Sequence, residues 1–311
     1  MKSLKPISLD TLPIFSSYLE KYPPEISEQT FTNLFVWRKS RPVWFTEICG
    51  SMIILISSAG YEKEEKIILG PPIGPASLTE VIECIQFPLK GAIRIPAKHF
   101  PSHENNQLQP RQDRDNWDYV YKTSDLAGLA GRQFSKKRNH IKQCLQNYDC
   151  EYESISRTNL DECIQMQKTW CHSRKCGQNP GLCTEYIAIN EALRHFDTLT
   201  MTGGAIRVDG AIQAYTLGER LNPETAVCHF EKALPGVNGL WQLINQWFAQ
   251  YALGEFKYIN REQDLGIPGL RQAKESYYPD HFVEKFDLIL SGSEIIPLQK
   301  PVTCMDDDTV D

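Results

Sequence analysis

Between Ala226 and Glu262 the apolar period changes from 2 to 3.6 residues and back, which commits this stretch to strand, turn, helix and strand. In Ala226–Lys232 the residues alternate: Ala226, Cys228 and Phe230 are expected on one face, Val227, His229 and Glu231 on the other. A turn, Pro235-Gly236-Val237-Asn238-Gly239, then feeds an amphipathic helix whose stripe is Leu240, Leu243, Ile244, Trp247, Phe248, Tyr251 and Ala252. The strand Glu255–Glu262 follows and places Asn260 and Glu262 on one face. Two polar strand ends thus flank a helix start whose free backbone N–H groups, around Gly236, Asn238 and Gly239, suit a phosphate. This is the candidate site.

At 311 residues the chain exceeds the usual single core, so two domains are expected. The first half carries helices at Ile7–Glu20 and Glu28–Arg38, the latter with Ser27 as its cap. A hairpin follows through Cys49-Gly50-Ser51, then Lys66–Leu69, the turn Pro71–Pro75, a helix from Ser77 to Phe87 and a strand Gly91–Ile95. Residues 101–116 are polar, hold two prolines and lack an apolar period, which predicts a linker. Beyond it come the strand Asp118–Tyr121, a helical region to Tyr148, the strand Asp149–Ile155 and helices at Leu160–Lys175 and Thr184–Phe196. A meander is expected next: Leu199–Thr202, Gly203-Gly204, Ala205–Val208, an Asp209-Gly210 hairpin and Ala211–Glu219. Phe282–Leu290 reads as a closing strand and 291–311 as a frayed tail. The expected division is 1–116, with its linker at 101–116, then 117–290 and the tail. Each half repeats the order helices, meander, glycine-proline turn, helix, strand, so two similar α+β modules are expected.

The longest aliphatic run, Met52–Ile56, is too short to span a bilayer, and the N-terminus lacks a signal-peptide pattern. Ten cysteines without disulfide spacing suggest free thiols in a reducing, cytoplasmic setting. The net charge of −6 argues against general affinity for nucleic acid but leaves room for a local basic patch. Against that acidic background Leu126–Tyr148 holds no acidic residue, and Arg132, Lys136, Lys137, Arg138 and Lys142 crowd one helix. The cluster is either a solvated face or a patch for RNA or another polyanion. Cys171-His172, Cys176 and Cys183 have the wrong spacing for structural zinc, and no metal is expected.

Meander, turn, helix, strand, helix, strand is the order of the GNAT acyltransferase fold, and the linked halves resemble a tandem GNAT arrangement. Specific motifs narrow this. Trp117-Asp118-Tyr119-Val120-Tyr121, Gly131 with Lys137-Arg138-Asn139-His140, and His229-Phe230-Glu231-Lys232-Ala233 resemble the cytosolic C-terminal domain of phosphatidylglycerol lysyltransferase. So does the stretch from Asn260-Arg261-Glu262-Gln263-Asp264-Leu265-Gly266 through Gly269-Leu270-Arg271, Lys274 and Tyr277 to Pro279. The resemblance implies two GNAT-like modules, each a mostly antiparallel mixed sheet flanked by helices. It further implies aminoacyl-tRNA as donor and a hydroxyl or amine on a lipid, small molecule or peptide as acceptor. This chain lacks the membrane-spanning region of the lipid-modifying members, which directs expectation to a soluble acceptor or a peripheral membrane contact.

Acyl transfer requires an activated nucleophile, a stabilised oxyanion and an oriented donor. Glu231 or His229 would serve as base, and Asn260 or Tyr277 would donate to the oxyanion or the leaving oxygen. Glu262 and Asp264 would bind an ammonium, while Lys232, Arg261, Arg271 and Lys274 would hold phosphates. The structural alternative for Glu231 is a cross-strand ion pair with Arg261. Two other functions remain open. One is a coenzyme A-dependent acyltransferase using acetyl-CoA or another acyl-CoA, although the usual Gly-x-Gly or Gly-x-Ala pyrophosphate signature is absent from Pro235–Gly239. The other is a non-catalytic RNA- or lipid-binding module.

Overall fold

The computed structural model describes residues 4–57, 66–100 and 108–290. In chain order its strands are β1 (Lys5–Pro6), β2 (Val43–Ile48), β3 (Ser51–Ile56), β4 (Lys66–Leu69), β5 (Leu89–Pro96), β6 (Leu108–Gln112), β7 (Asp118–Lys122), β8 (Cys150–Ser154), β9 (Thr202–Val208), β10 (Ala211–Arg220), β11 (Thr225–Ala233), β12 (Tyr258–Asn260), β13 (His281–Val283) and β14 (Lys285–Leu290). Its helices are α1 (Leu12–Lys21), α2 (Phe31–Val36), α3 (Leu78–Cys84), α4 (Thr123–Gly128), α5 (Ser135–Asn147), α6 (Leu160–Ser173), α7 (Pro180–Arg194), α8 (Leu240–Tyr251) and α9 (Pro268–Glu275). They form two compact units. The first holds the chain up to Asp118, Gln263–Pro268 and the segment from Phe282; the second holds Tyr119–Glu262 and Gly269–His281. The architecture is α+β, with two modules, each built on a mixed seven-stranded sheet.

The first unit's sheet runs β1-β2-β3-β4-β5-β14-β6. β4 and β5 are parallel, and the other pairs are antiparallel. Every residue of β3 and β4 is buried, so both faces are covered, which is why Met52–Ile56 is an unbroken apolar run. Ile53, Leu55, Ile68, Val81, Ile95 and Leu288 lie in its core. α3 begins in a capping box, with Ser77 accepting from the Glu80 amide while Glu80 accepts from the Ser77 amide. Thr30, not Ser27, caps α2, because the chain makes a 3₁₀ turn at Ser27–Gln29 before the helix.

Three expectations need correction. The linker and tail lie partly or wholly outside the described residues, but 108–112 of the linker is a strand. Pro110 disguised it: β6 is an edge strand, where a residue without an N–H is tolerated. Phe282–Leu290 breaks after Val283, and β14 enters the first sheet between β5 and β6 rather than closing the second. Alternation announces a strand but not its neighbour. The neighbour is decided here by Gly91, where a Cβ would lie 2.2 Å from the Leu288 carbonyl oxygen, and by the Asp287–Arg111 ion pair at 2.9 Å. Both units are therefore discontinuous in sequence, unlike the expected 1–116 and 117–290. Finally, Gly203-Gly204 does not separate two strands, Leu199–Thr202 and Ala205–Val208, but lies within β9, which starts at Thr202. The Ile155 and Tyr152 side chains fill the space where Cβ atoms would be, at 2.8 and 2.4 Å.

The second unit's sheet runs β13-β7-β12-β11-β10-β9-β8. Its one parallel pair among the registered strands is β11–β12. The β9–β10 turn has left-handed Asp209 and Gly210 (φ 50° and 87°), as the Asp-Gly pair predicts. In the β10–β11 ladder Leu217 faces Phe230 and Gly218 faces Cys228, so His229 is the extra residue of a β-bulge.

Charge is also buried in the first unit. Lys285, wholly buried, donates to Glu28 at 2.6 Å and to Asp118 at 2.7 Å. Asp118 further accepts from the Ser27 amide and hydroxyl and from Gln263. Burial raises the Glu28 pKa against the opposing pull of Lys285. Removing the cation would leave two buried carboxylates facing each other. Lys285→Met should therefore lower the unfolding free energy of this unit by about 3–5 kcal/mol, measured by urea denaturation; a loss under about 1 kcal/mol would contradict the role given to the lysine.

Candidate functional site

Only three residue pairs register β11 with β12, ending at Val227 and Asn260. β11 continues to Ala233 without β12 beside it, and the two parallel strands part. Arg261, the first residue after β12, bridges the opening: its Nη2 donates to Glu231 Oε1 at 3.1 Å. Asn245 of α8 donates to the other Glu231 oxygen at 3.2 Å. The rings of Tyr277 and Tyr121 flank the guanidinium at 5.1 and 5.7 Å. Burial opposes the charge on Arg261, but Glu231 and the surrounding acidic groups outweigh it and hold the guanidinium protonated. Burial pushes both phenols above their usual range. Two buried atoms of this cluster have no hydrogen-bond partner, the Arg261 Nη1 donor and the Asn245 Oδ1 acceptor. Both side chains are anchored to the same carboxylate, that of Glu231.

Lys137 joins them from α5. Its ammonium lies 4.2 Å from the Tyr277 ring centre and donates to Ser276 Oγ at 2.6 Å. Burial, and secondarily Arg261, lowers its pKa. It was expected in the exposed anion patch; the structure turns it inward. Of the other patch residues, Arg132, Lys136 and Lys142 are exposed. Arg138 is engaged, donating to the Leu129 and Gly131 carbonyls.

The expected base His229 has a different role. Its Nδ1 donates to Glu262 at 2.7 Å and its Nε2 to Glu219 at 2.8 Å, with the side chain 2% exposed. Burial alone would lower its pKa, but the two carboxylates win and push it up to about 10. An imidazolium donating at both nitrogens has no lone pair for a proton. Asn260 is likewise turned to structure: fully buried, it accepts from the Glu262 amide at 2.8 Å and supports the left-handed Glu262 (φ 56°). That backbone aims Glu262 at His229. Neither Glu262 nor Asp264 is left for an ammonium. Asp264 belongs to the first unit, where it is buried and accepts from Arg114 and the Gly266 amide.

The expected phosphate ligands are also engaged. Lys232 donates to Glu185 at 2.8 Å and lies over the Trp170 ring. Lys274 is buried and donates to the Arg261 carbonyl, while its own carbonyl accepts from the Tyr121 hydroxyl. Arg271 lies half-buried on α9. The α8 start is not open: a Cβ on Gly239 (φ 89°) would lie 2.1 Å from the His140 carbonyl oxygen, and Asn238 reaches Gln143 at 3.4 Å. Gly239 thus serves the close approach of α5 to α8, and only Gly236 borders open space.

The bulge at His229 also breaks the expected alternation. Thr216 faces Glu231 in the register and its hydroxyl is 3.2 Å from Cys228 Sγ, so Cys228 shares the Glu231 face. Burial pushes that thiol up to about 12, which makes it a poor nucleophile. Among the described residues no group of three or more His, Cys, Asp or Glu side chains is placed to hold a metal.

Residues 19–289 match the family described as phosphatidylglycerol lysyltransferase, C-terminal. A conserved protein of unknown function from Bacteroides thetaiotaomicron is similar at 31% identity and a TM-score of 0.85, over 93% of this chain and 100% of the other. The L-PGS structure from Bacillus licheniformis aligns at 11% identity and a TM-score of 0.66, over 94% of both chains. The C-terminal domain of a protein described as a lysylphosphatidylglycerol synthetase, from Agrobacterium fabrum, aligns at 12% and 0.61 over 89% of this chain and 93% of that one. These last two likenesses carry the fold alone.

The histidine clamp has a pH signature. A pKa raised in the folded state gives stabilisation that is complete below the unfolded value near 6.5 and is lost as pH rises through about 10. Urea midpoints of the second unit should therefore fall between those limits, and His229→Asn should be less stable at pH 6.5 and lack that share of the slope. An unchanged alkaline slope in the variant would contradict the clamp.

Proposed function

The chain belongs to the phosphatidylglycerol lysyltransferase C-terminal family, and from that membership we propose that it transfers an aminoacyl group from a charged tRNA to a hydroxyl or amine acceptor. The observation that carries the reading is the pair of unpartnered buried atoms, Arg261 Nη1 and Asn245 Oδ1, where β11 and β12 part. An aminoacyl ester complements them: its carbonyl oxygen accepts from Arg261 and its α-ammonium donates to Asn245. Glu231 holds both side chains and balances the arginine charge. As the acceptor attacks, charge grows on the carbonyl oxygen, and a fixed, desolvated guanidinium stabilises it without reorganising. Lys137, in the neutral amine form that its lowered pKa favours, takes the acceptor's proton; the new ester or amide bond forms, the bond to the ribose oxygen breaks, and that oxygen receives the proton. The exposed Arg132, Lys136 and Lys142 continue the same basic segment outward and suit the phosphates of a tRNA end.

The acceptor is a lipid, small molecule or peptide, and charged tRNA places the reaction in the cytoplasm. Among the described residues no helix is long and apolar enough to cross a membrane. The coenzyme A reading is weakened because the His140 backbone occupies the space beside Gly239, where a pyrophosphate would need open amides.

The test follows label from bulk tRNA charged with radioactive amino acids into phosphatidylglycerol vesicles or a protein-free small-molecule extract. Label should enter one of them, and Arg261→Gln should reduce transfer about 100-fold or more while the circular dichroism spectrum is kept. Lys137→Met should abolish the alkaline rise of the rate. Transfer that survives Arg261→Gln would overturn the site; acetyl-CoA turnover or RNA binding without transfer would overturn the reaction.

A further inference from the structure

The β2–β3 hairpin of the first unit turns through Cys49 and Gly50, both left-handed (φ 50° and 74°). Such a turn favours Asn, Asp or Gly, and cysteine gains nothing from it conformationally. Cys49 is exposed, as is Cys84, the last residue of α3, and the Cys49 thiol donates to Cys84 Sγ across 3.2 Å. Both elements are already pinned beside each other. The Ser51 hydroxyl, next along the hairpin, accepts from the Ala76 amide just before α3 at 2.8 Å, and Met52 bridges to Ile73. Two accessible thiols held by rigid neighbours have a high effective concentration for each other. A disulfide requires the sulfurs to close to about 2.05 Å, a movement within side-chain reach.

We propose that Cys49 and Cys84 are a reversible disulfide site that staples the hairpin tip to the end of α3. The oxidant is a low-molecular-weight disulfide of the glutathione class. One thiolate attacks it, forming a mixed disulfide and releasing one small thiol; the second thiolate displaces the other small thiol and closes the protein S–S bond. Two protein thiols are oxidised and one small disulfide is reduced to two thiols, so atoms and electrons balance. The hydrogen bond to Cys84 raises the Cys49 pKa, which makes exchange slow near neutrality and faster in mild alkali. Cys144 and Cys150 form a second close pair at 3.9 Å, but Cys144 is buried and its thiol is pushed up to about 12, so it reacts later.

The full chain is incubated with oxidised glutathione, alkylated, digested and analysed by mass spectrometry, with melting followed in parallel. A Cys49–Cys84 cross-linked peptide should appear, the melting temperature of the first unit should rise by about 5 °C, and dithiothreitol should reverse both. Cys49→Ser and Cys84→Ser should each lose the shift and carry one glutathione on the remaining thiol. Separate glutathione adducts on both cysteines of the unmutated chain, full alkylation of both, or a cross-link to another cysteine would each overturn the proposal.

Discussion

Two parallel strands that part after three registered pairs set the problem that the second unit solves. The opening exposes polar backbone inside a packed sheet, and only side chains that satisfy one another can line it. Arg261 and Glu231 meet across it, Asn245 donates to the second carboxylate oxygen, and the guanidinium lies near two tyrosine rings. A second buried group, His229 between Glu219 and Glu262, fixes the chain just beyond Arg261. Each of these cations faces at least one carboxylate, which is the condition for keeping charge inside a protein. Of the side chains that line the opening, Arg261 keeps one donor and Asn245 one acceptor without a partner.

The first unit shows what the same strand geometry becomes when nothing is left over. β4 and β5 are parallel and their register ends at Leu69 and Ile93, followed at once by Arg94. That arginine, held left-handed (φ 60°), meets Asp113, Glu28 and Asp287 and is saturated by carboxylates. The neighbouring Gly70 packs against Gln29 and Ile26, which occupy the space beyond the strand end. One arginine therefore braces its unit, whereas the other keeps a free N–H. The proposed chemistry is therefore placed in the second unit.

Much of this was legible in the residues. The period changes located β11 and α8, and predicted a strand over Glu255–Glu262 of which Tyr258–Asn260 forms as β12; the alternation put His229 and Glu231 near the end of β11. The Glu231–Arg261 pair was visible as a cross-strand possibility. Other features depend on contacts that sequence does not order. A bulge at His229 moved Cys228 onto the Glu231 face and brought Glu219, absent from the expected set, against the imidazole. Asn245 and Tyr121 looked like ordinary members of a helix and a strand. Lys137 was hidden in a run of cations, five of which looked alike until the fold turned one inward. The exchange of β14 into the first sheet was invisible because pattern specifies a strand's faces, not its partners. Polar residues with the right chemistry, such as Lys232 and Asp264, proved to be satisfied elsewhere.

Under the proposed reaction the opening beside β11 receives the aminoacyl ester. Amide hydrogen exchange in the presence of a non-hydrolysable 3′-aminoacylamino-adenosine tests it most directly. Saturable binding should slow exchange in residues 228–233 and around Asn245 and Arg261, and Arg261→Gln should remove that protection. Saturable binding that leaves this segment unchanged, or protects only the exposed face of α5, would contradict the account.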